Sequence, residues 1–141
     1  MIALDIARLL VDFGLFLVIW MVQLIIYPSF VYYTDHDAFM TWHSRYSRLI
    51  SYFVVPLMIG QVVLTAWSAI WYHDILKWTN MILIAYTWWI TFTQAVPMHN
   101  QLATHCDAKA CKNSLIEVNW SRTISWTLIF VLTIVEIFIL V

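Results

Sequence analysis

Leu49-Ile50-Ser51-Tyr52-Phe53-Val54-Val55-Pro56-Leu57-Met58-Ile59-Gly60-Gln61-Val62-Val63-Leu64 runs on to Tyr72 without a charged side chain. A hydrocarbon core about 30 Å thick takes roughly 20 mostly apolar residues per helix, so this stretch predicts a membrane-spanning helix. Pro56 does not argue against it, because neighbouring helices re-satisfy the backbone groups that a proline frees in a membrane. Three further stretches qualify. Together the four, residues 9–30, 49–72, 78–98 and 123–141, nearly exhaust the chain. The expected fold is all-α, an integral membrane four-helix bundle forming a single domain over residues 1–141. The first stretch has no short positively charged head and no small-residue cleavage site, and it outruns the apolar core of a signal peptide. It reads as a retained helix.

The composition agrees. Of 141 residues, 63% are hydrophobic and 11% charged, against about 45–50% and 25% in soluble domains. Seven Lys and Arg stand against eight Asp and Glu, which leaves no basic patch for nucleic acid; the expected surroundings are the lipid bilayer. With two glycines in the chain there is no phosphate loop, dinucleotide fingerprint or Gly-x-Ser-x-Gly elbow.

Two of the spans open on nearly the same phrase, Ser47-Arg48-Leu49-Ile50-Ser51-Tyr52 and Ser121-Arg122-Thr123-Ile124-Ser125-Trp126. Aligning Arg48 with Arg122 pairs Arg45 with Asn119, Tyr46 with Trp120 and His43 with Glu117. The spans before them each hold a Gln and then a Pro, Gln23 with Pro28 and Gln94 with Pro97. The pattern suggests two duplicated helical hairpins in parallel orientation, related by a pseudo-two-fold axis along the membrane normal. At 100° per residue, Arg45, Arg48 and Tyr52 share one helix face and Asn119, Arg122 and Trp126 share the equivalent face of the other hairpin. The repeat is therefore expected to copy a surface.

Because spans alternate in direction, the connections after spans one and three lie on one side, and most polar residues gather there. Helix two is expected to start near Ala38, capped by Asp35 or Asp37. A long polar connection is expected over His99–Asn113, with helix four starting near Ser114. The other end offers Asp5, Arg8, Asp12, the His73 turn and Glu136. An arginine in a membrane segment costs about 2.5–3.5 kcal/mol at the helix centre and usually faces the bundle interior, although near a helix end it can snorkel. The candidate ligand-binding residues are Gln23, Arg45, Arg48, Gln94, Asn100, Asn119, Trp120 and Arg122. Trp42, Trp120 and Trp126 offer stacking and cation-π walls.

His43, His99 and Glu117 are the candidate catalytic residues. Two histidines on one membrane side are compatible with a bis-imidazole haem, and with Glu117 they make a set compatible with a transition metal. Hydrogen-bonded interfacial histidines remain the alternative. Cys106 and Cys111 would form a small disulfide loop in an oxidising compartment, or remain free thiols or loose metal ligands in the cytosol. The excess of Lys and Arg at the polar end favours a cytoplasmic location for it.

Val96-Pro97-Met98-His99-Asn100-Gln101-Leu102 and Leu115-Ile116-Glu117-Val118-Asn119-Trp120-Ser121-Arg122 resemble the small four-helix bacterial membrane proteins of unknown function related to anthrone oxygenases. The matching positions are Pro97, Asn100, Leu102, Trp120 and Arg122, mainly in the second half of the chain. The resemblance implies a multi-pass protein of the bacterial inner membrane and a precedent for oxidising an apolar polycyclic substrate. The expected function is a polar pocket at one end of the bundle that binds a small amphipathic or aromatic molecule, with an oxidoreductase as one form of it. The alternative is a structural or accessory membrane protein whose polar cluster only locks the helices, assembled with itself or with another membrane subunit.

Overall fold

A computed structural model describes residues 2–72, 74–102 and 108–138, with side chains at all of these but 31 and 108–112. His73, His105, Cys106, the Cys111 side chain and the last residues of the fourth expected span lie outside them. Helix α1 (Ile2–Met21) passes into a π-helical turn, Val22–Ile26, and a 3-10 turn, Pro28–Tyr32; α2 covers His36–Tyr72 and α3 Ile75–Ile90. A second π-helical turn, Thr91–Ala95, leads into α4 (Val96–Leu102), and α5 covers Ala108–Phe138. Ile2–Phe30, His36–Tyr72 and Asn113–Phe138 are long and apolar enough to cross a membrane, which suggests a membrane protein. The expected span 78–98 is composite: α3, the π-turn and the start of α4.

The two π-turns have a common cause. A proline ring clashes with the carbonyl four residues before it, here that of Leu24 before Pro28 and Thr93 before Pro97, and both carbonyls fall inside π-turns. The chain widens to i→i+5 bonding there: the Tyr27 N–H donates to the Val22 carbonyl at 2.9 Å and the Val96 N–H to that of Thr91. Gln23 and Gln94, the paired glutamines, both sit in these turns.

Helix starts depart from the sequence reading in two places. Asp35, rather than Asp37, caps α2, accepting from the backbone N–H of Asp37 at 3.0 Å and of Ala38 at 3.4 Å, so the helix begins at His36. Helix α5 begins at Ala108 rather than near Ser114, and α4 extends to Leu102, which shortens the polar connection expected over His99–Asn113. Gln and Lys are polar but good helix formers; polarity alone did not mean loop.

Helix α5 packs against α1 and α3, and α1 against α2, while the seam between α2 and α3 is sparser. One apolar cluster, Leu15, Ile19, Met58, Ile84, Trp126 and Ile129, fills the middle of the bundle. Another, with Val22, Tyr27, Phe30, Phe39, Leu102 and Leu115, closes the end where α2 and α5 begin. Phe53, Trp67, Ile82 and Leu128 point outward, as side chains facing lipid do.

At the opposite end a charged network ties the four long helices together. Arg8 forks onto Glu136, NH1 to Oε1 at 2.6 Å and NH2 to Oε2 at 3.1 Å, the bidentate geometry that makes such pairs strong. Lys77 Nζ stands 2.6 Å from the same Oε1, and Arg8 also donates to Ser68 at 3.3 Å. One turn deeper, Asp12 accepts from Gln61 at 2.6 Å and Thr133 at 2.8 Å, and Asn80 donates to Thr133 at 3.3 Å. Lys77 also stands 3.6 Å from Asp74, so both buried bases at this end have a carboxylate partner.

Removing one member of a buried ion pair leaves its partner uncompensated, at about 3–5 kcal/mol. Glu136→Gln is expected to lower stability by that order, measured by unfolding in detergent, whereas Asp5→Asn, at a partly exposed position, should change it by about 0.5 kcal/mol or less. Equal unfolding curves for E136Q and the native chain would show that the network does not hold the bundle.

Candidate functional site: a cavity around a buried arginine

Helix α5 carries Asn119, Arg122 and Trp126 inward on one face, 1%, 8% and 2% exposed. Their hydrogen bonds run both ways from that face. Asn119 donates to Gln23 in the first π-turn at 2.7 Å and accepts from Arg122 NH1 at 3.2 Å. The Arg122 guanidinium lies 5.1 Å from the centroid of the Trp126 ring, a cation-π arrangement, and the Trp126 indole N–H donates to Gln61 at 3.2 Å.

Tyr27 and Arg122 are neighbours in this region, and the Tyr27 hydroxyl is 3.1 Å from His99 Nε2. His99 Nδ1 is in turn 2.9 Å from His43 Nε2. Tyr27, His99 and His43 thus form a row of hydrogen bonds in which the hydroxyl and each neutral ring can either donate or accept. His43 lies against Phe39, ring centroids 5.5 Å apart at 27°; its Nδ1 is buried without a partner among the described residues. Both imidazoles are neutral in this arrangement. His99 lies just past the apolar run of its span, and burial, then His43 and Arg122, hold its pKa down at about 3.

Next to this row is a cavity of about 310 Å³ between α1, α2, the second π-turn and α5. Its depth is apolar, formed by Leu15, Val18, Ile19 and Met58; its polar wall is Tyr27, Tyr46, Ser47, His99 and Arg122. Ser47 and Arg122 both line it; their Oγ and Nε atoms are fully buried and, among the described residues, without a hydrogen-bond partner. Among the described residues, no carboxylate pairs with Arg122.

The doubled Ser-Arg phrase contributes from both copies, though not symmetrically. Arg45, Arg48 and Tyr52 do share a face, and it points outward; all three are exposed. The cavity takes Ser47 and Ser51 from the first copy and Arg122 and Trp126 from the second. The copied surface expected from the alignment is corrected on this point: α2 is rotated so that its small serines, rather than Arg48, meet the bundle. Arg45 lines a separate outer groove with Met21 and Phe53.

The remaining sequence candidates divide. Gln23 and Asn119 join Arg122, and His43 and His99 join each other. Gln94 is half-buried in the second π-turn, and Asn100 is exposed at the cavity's edge. Trp120 is exposed and meets Trp20 edge-on at 5.9 Å. Glu117 is exposed. No group of three or more His, Cys, Asp or Glu able to hold a metal occurs among the described residues, and an ion between the histidines would have to take the two nitrogens that already bond each other.

Tyr27, Tyr46 and Ser47, and the Asp12, Gln61, Ser68, Lys77, Asn80 and Thr133 network, were not among the candidates. Helical spacing carried a signal for them: Arg8 and Asp12, Gln61, Thr65 and Ser68, Lys77 and Asn80, Thr133 and Glu136 recur at three or four residues in otherwise apolar runs, and each set shares a helix face. Neither a protein-family model, nor a curated protein, nor a solved structure matches this chain.

The depressed His99 pKa has a definite sign. An unfolded histidine takes a proton near pH 6.5, the folded one only near 3, so this group's contribution to stability is complete above about 6.5 and declines as pH falls towards 3. The native protein in detergent should therefore lose stability from pH 7 to 4 more steeply than His99→Gln. Parallel profiles for the two proteins would show that His99 is not held neutral by the fold.

Proposed function

We propose that the protein is a multi-pass membrane protein whose Arg122 cavity binds a small amphipathic molecule at the end of the bundle where α2 and α5 begin. One observation carries this reading: Arg122 is buried beside an apolar cavity with no carboxylate partner among the described residues, in a fold whose other buried cations, Arg8 and Lys77, are both paired with Glu136. Burying an unpaired cation is costly, and intramembrane ionisable residues mark ligand and ion sites more often than decoration. A ligand with an oxygen-bearing head and an apolar body complements both the polar wall and the apolar depth. The cavity is near the lower end of the roughly 300–1,000 Å³ typical of ligand pockets, so the ligand within it is small or only partly enclosed.

The purely structural alternative suits the other end of the molecule, where Arg8 and Lys77 both pair with Glu136 and Asp12 accepts from Gln61 and Thr133. The site adds binding and, through Tyr27, His99 and His43, a row of hydrogen bonds; oxidation is implied only by the resemblance. The duplicated-hairpin reading is supported by the matched π-turns at Gln23 and Gln94.

The readings part on Arg122→Gln. If Arg122 only locks helices, the variant unfolds more readily by a few kcal/mol. For a ligand site, the ligand-free variant matches or exceeds the native protein in thermal stability, because an uncompensated charge has gone, and stabilisation by added amphiphiles is lost. Melting curves in a mild detergent, with and without a panel of single-chain carboxylates, alcohols and quinones, decide it.

A further inference from the structure

The cavity's walls also show how a ligand reaches it and which head it carries. On the side between α2 and the second π-turn, Val55 is 48% exposed and Phe92 58%, with Val96 also exposed, and all three line the cavity. This mouth opens between transmembrane elements along the sparse α2–α3 side of the bundle, among outward-facing apolar side chains. Its surroundings are those of lipid rather than water. Arg122 and Ser47 both line the cavity, and a guanidinium can only donate, so its ligand partner is an acceptor. Because Arg122 is a cation without a counter-charge among the described residues, an anionic acceptor is favoured over a neutral carbonyl or hydroxyl. A planar two-oxygen anion matches a guanidinium fork.

We infer that the cavity takes a long-chain carboxylate, one apolar chain with a single anionic head, drawn sideways from the bilayer through the mouth at Val55 and Phe92. The inference rests on the reading of the cavity as a ligand site. The head meets Arg122 and Ser47, and the chain follows Leu15, Val18 and Met58 or trails out of the mouth into the lipid. The volume admits the head and only part of the chain. A ligand already dissolved in the membrane loses little by leaving its tail there.

The test uses the full chain in phosphatidylcholine nanodiscs, with a diazirine-bearing C16 carboxylate and the corresponding diazirine alcohol as probes, and adduct positions mapped by tandem mass spectrometry. The carboxylate is expected to label cavity positions on α1 and α2, Leu15 to Val22 and Val54 to Met58, about tenfold or more above the alcohol, as a hydrogen bond to a charged group allows. Arg122→Gln should erase that preference. Val55→Trp, which fills the mouth, should lower cavity labelling, while Val63→Trp, exposed elsewhere on α2, should not. Equal cavity labelling by both probes, indifferent to Arg122, would overturn the anionic head and leave the cavity as a ligand site. Adducts confined to lipid-facing positions would overturn the ligand site itself. Unchanged labelling in V55W would overturn lateral entry.

Discussion

Glu136 is the one carboxylate that both Arg8 and Lys77 reach at 2.6 Å, and the arrangement of the bundle follows from that need for compensation. Taking a charged group out of water costs several kcal/mol even after relaxation, and only a close partner with further hydrogen bonds offsets it. Arg8 comes from α1, Lys77 from α3 and Glu136 from α5, so their meeting sets the relative depth of three helices. Asp12 with Gln61 adds α2 one turn further in. Apolar contacts cannot do this on their own, because in lipid an outward-facing leucine is as well solvated as an inward-facing one and packing must come from shape and polar contacts.

Trp126 joins this balanced end to the unbalanced one. Its indole N–H is committed to Gln61, which is itself committed to Asp12, while its ring face carries Arg122. The same side chain belongs to the central apolar cluster with Leu15, Met58 and Ile84. Arg122 is thus presented to the cavity on a support anchored in the network below it, with Asn119 and Gln23 bracing it from above. A binding group held by rigid neighbours spends less of its interaction on being ordered.

Much of this was legible in the sequence, and the parts that were not have separate physical causes. Apolar run length is enough for the long helices of 9–30 and 49–72, since a bilayer imposes length directly. The faces shared by Arg45, Arg48 and Tyr52 and by Asn119, Arg122 and Trp126 follow from helical geometry alone. Which way a face points does not: Arg48 and Arg122 occupy the same place in the same phrase, yet one is exposed and the other buried. That difference is set by the rotation of each helix about its axis, which depends on its neighbours. Span 78–98 shows a second limit, because Pro97 marks a distortion without saying that the chain will widen into a π-turn instead of breaking. The ion network was hidden for a third reason. Arg8, Asp12, Lys77 and Glu136 lie near the ends of helices, where charges ordinarily reach water, and only the inward period of Gln61, Ser68, Asn80 and Thr133 distinguishes them from interfacial residues.

The row of Tyr27, His99 and His43 beside Arg122 couples the cavity to proton affinity. Arg122 is one of the charges that hold the His99 pKa down, after burial and His43. An anion at Arg122 cancels part of that field and raises the proton affinity of His99. By linkage, protonation of His99 must strengthen anion binding by the same factor. Burial and His43 persist when the anion is bound, so the histidine stays neutral near pH 7. A carboxylate in the cavity therefore meets a single positive charge with neutral donors around it, and binding needs no change in protonation at neutral pH.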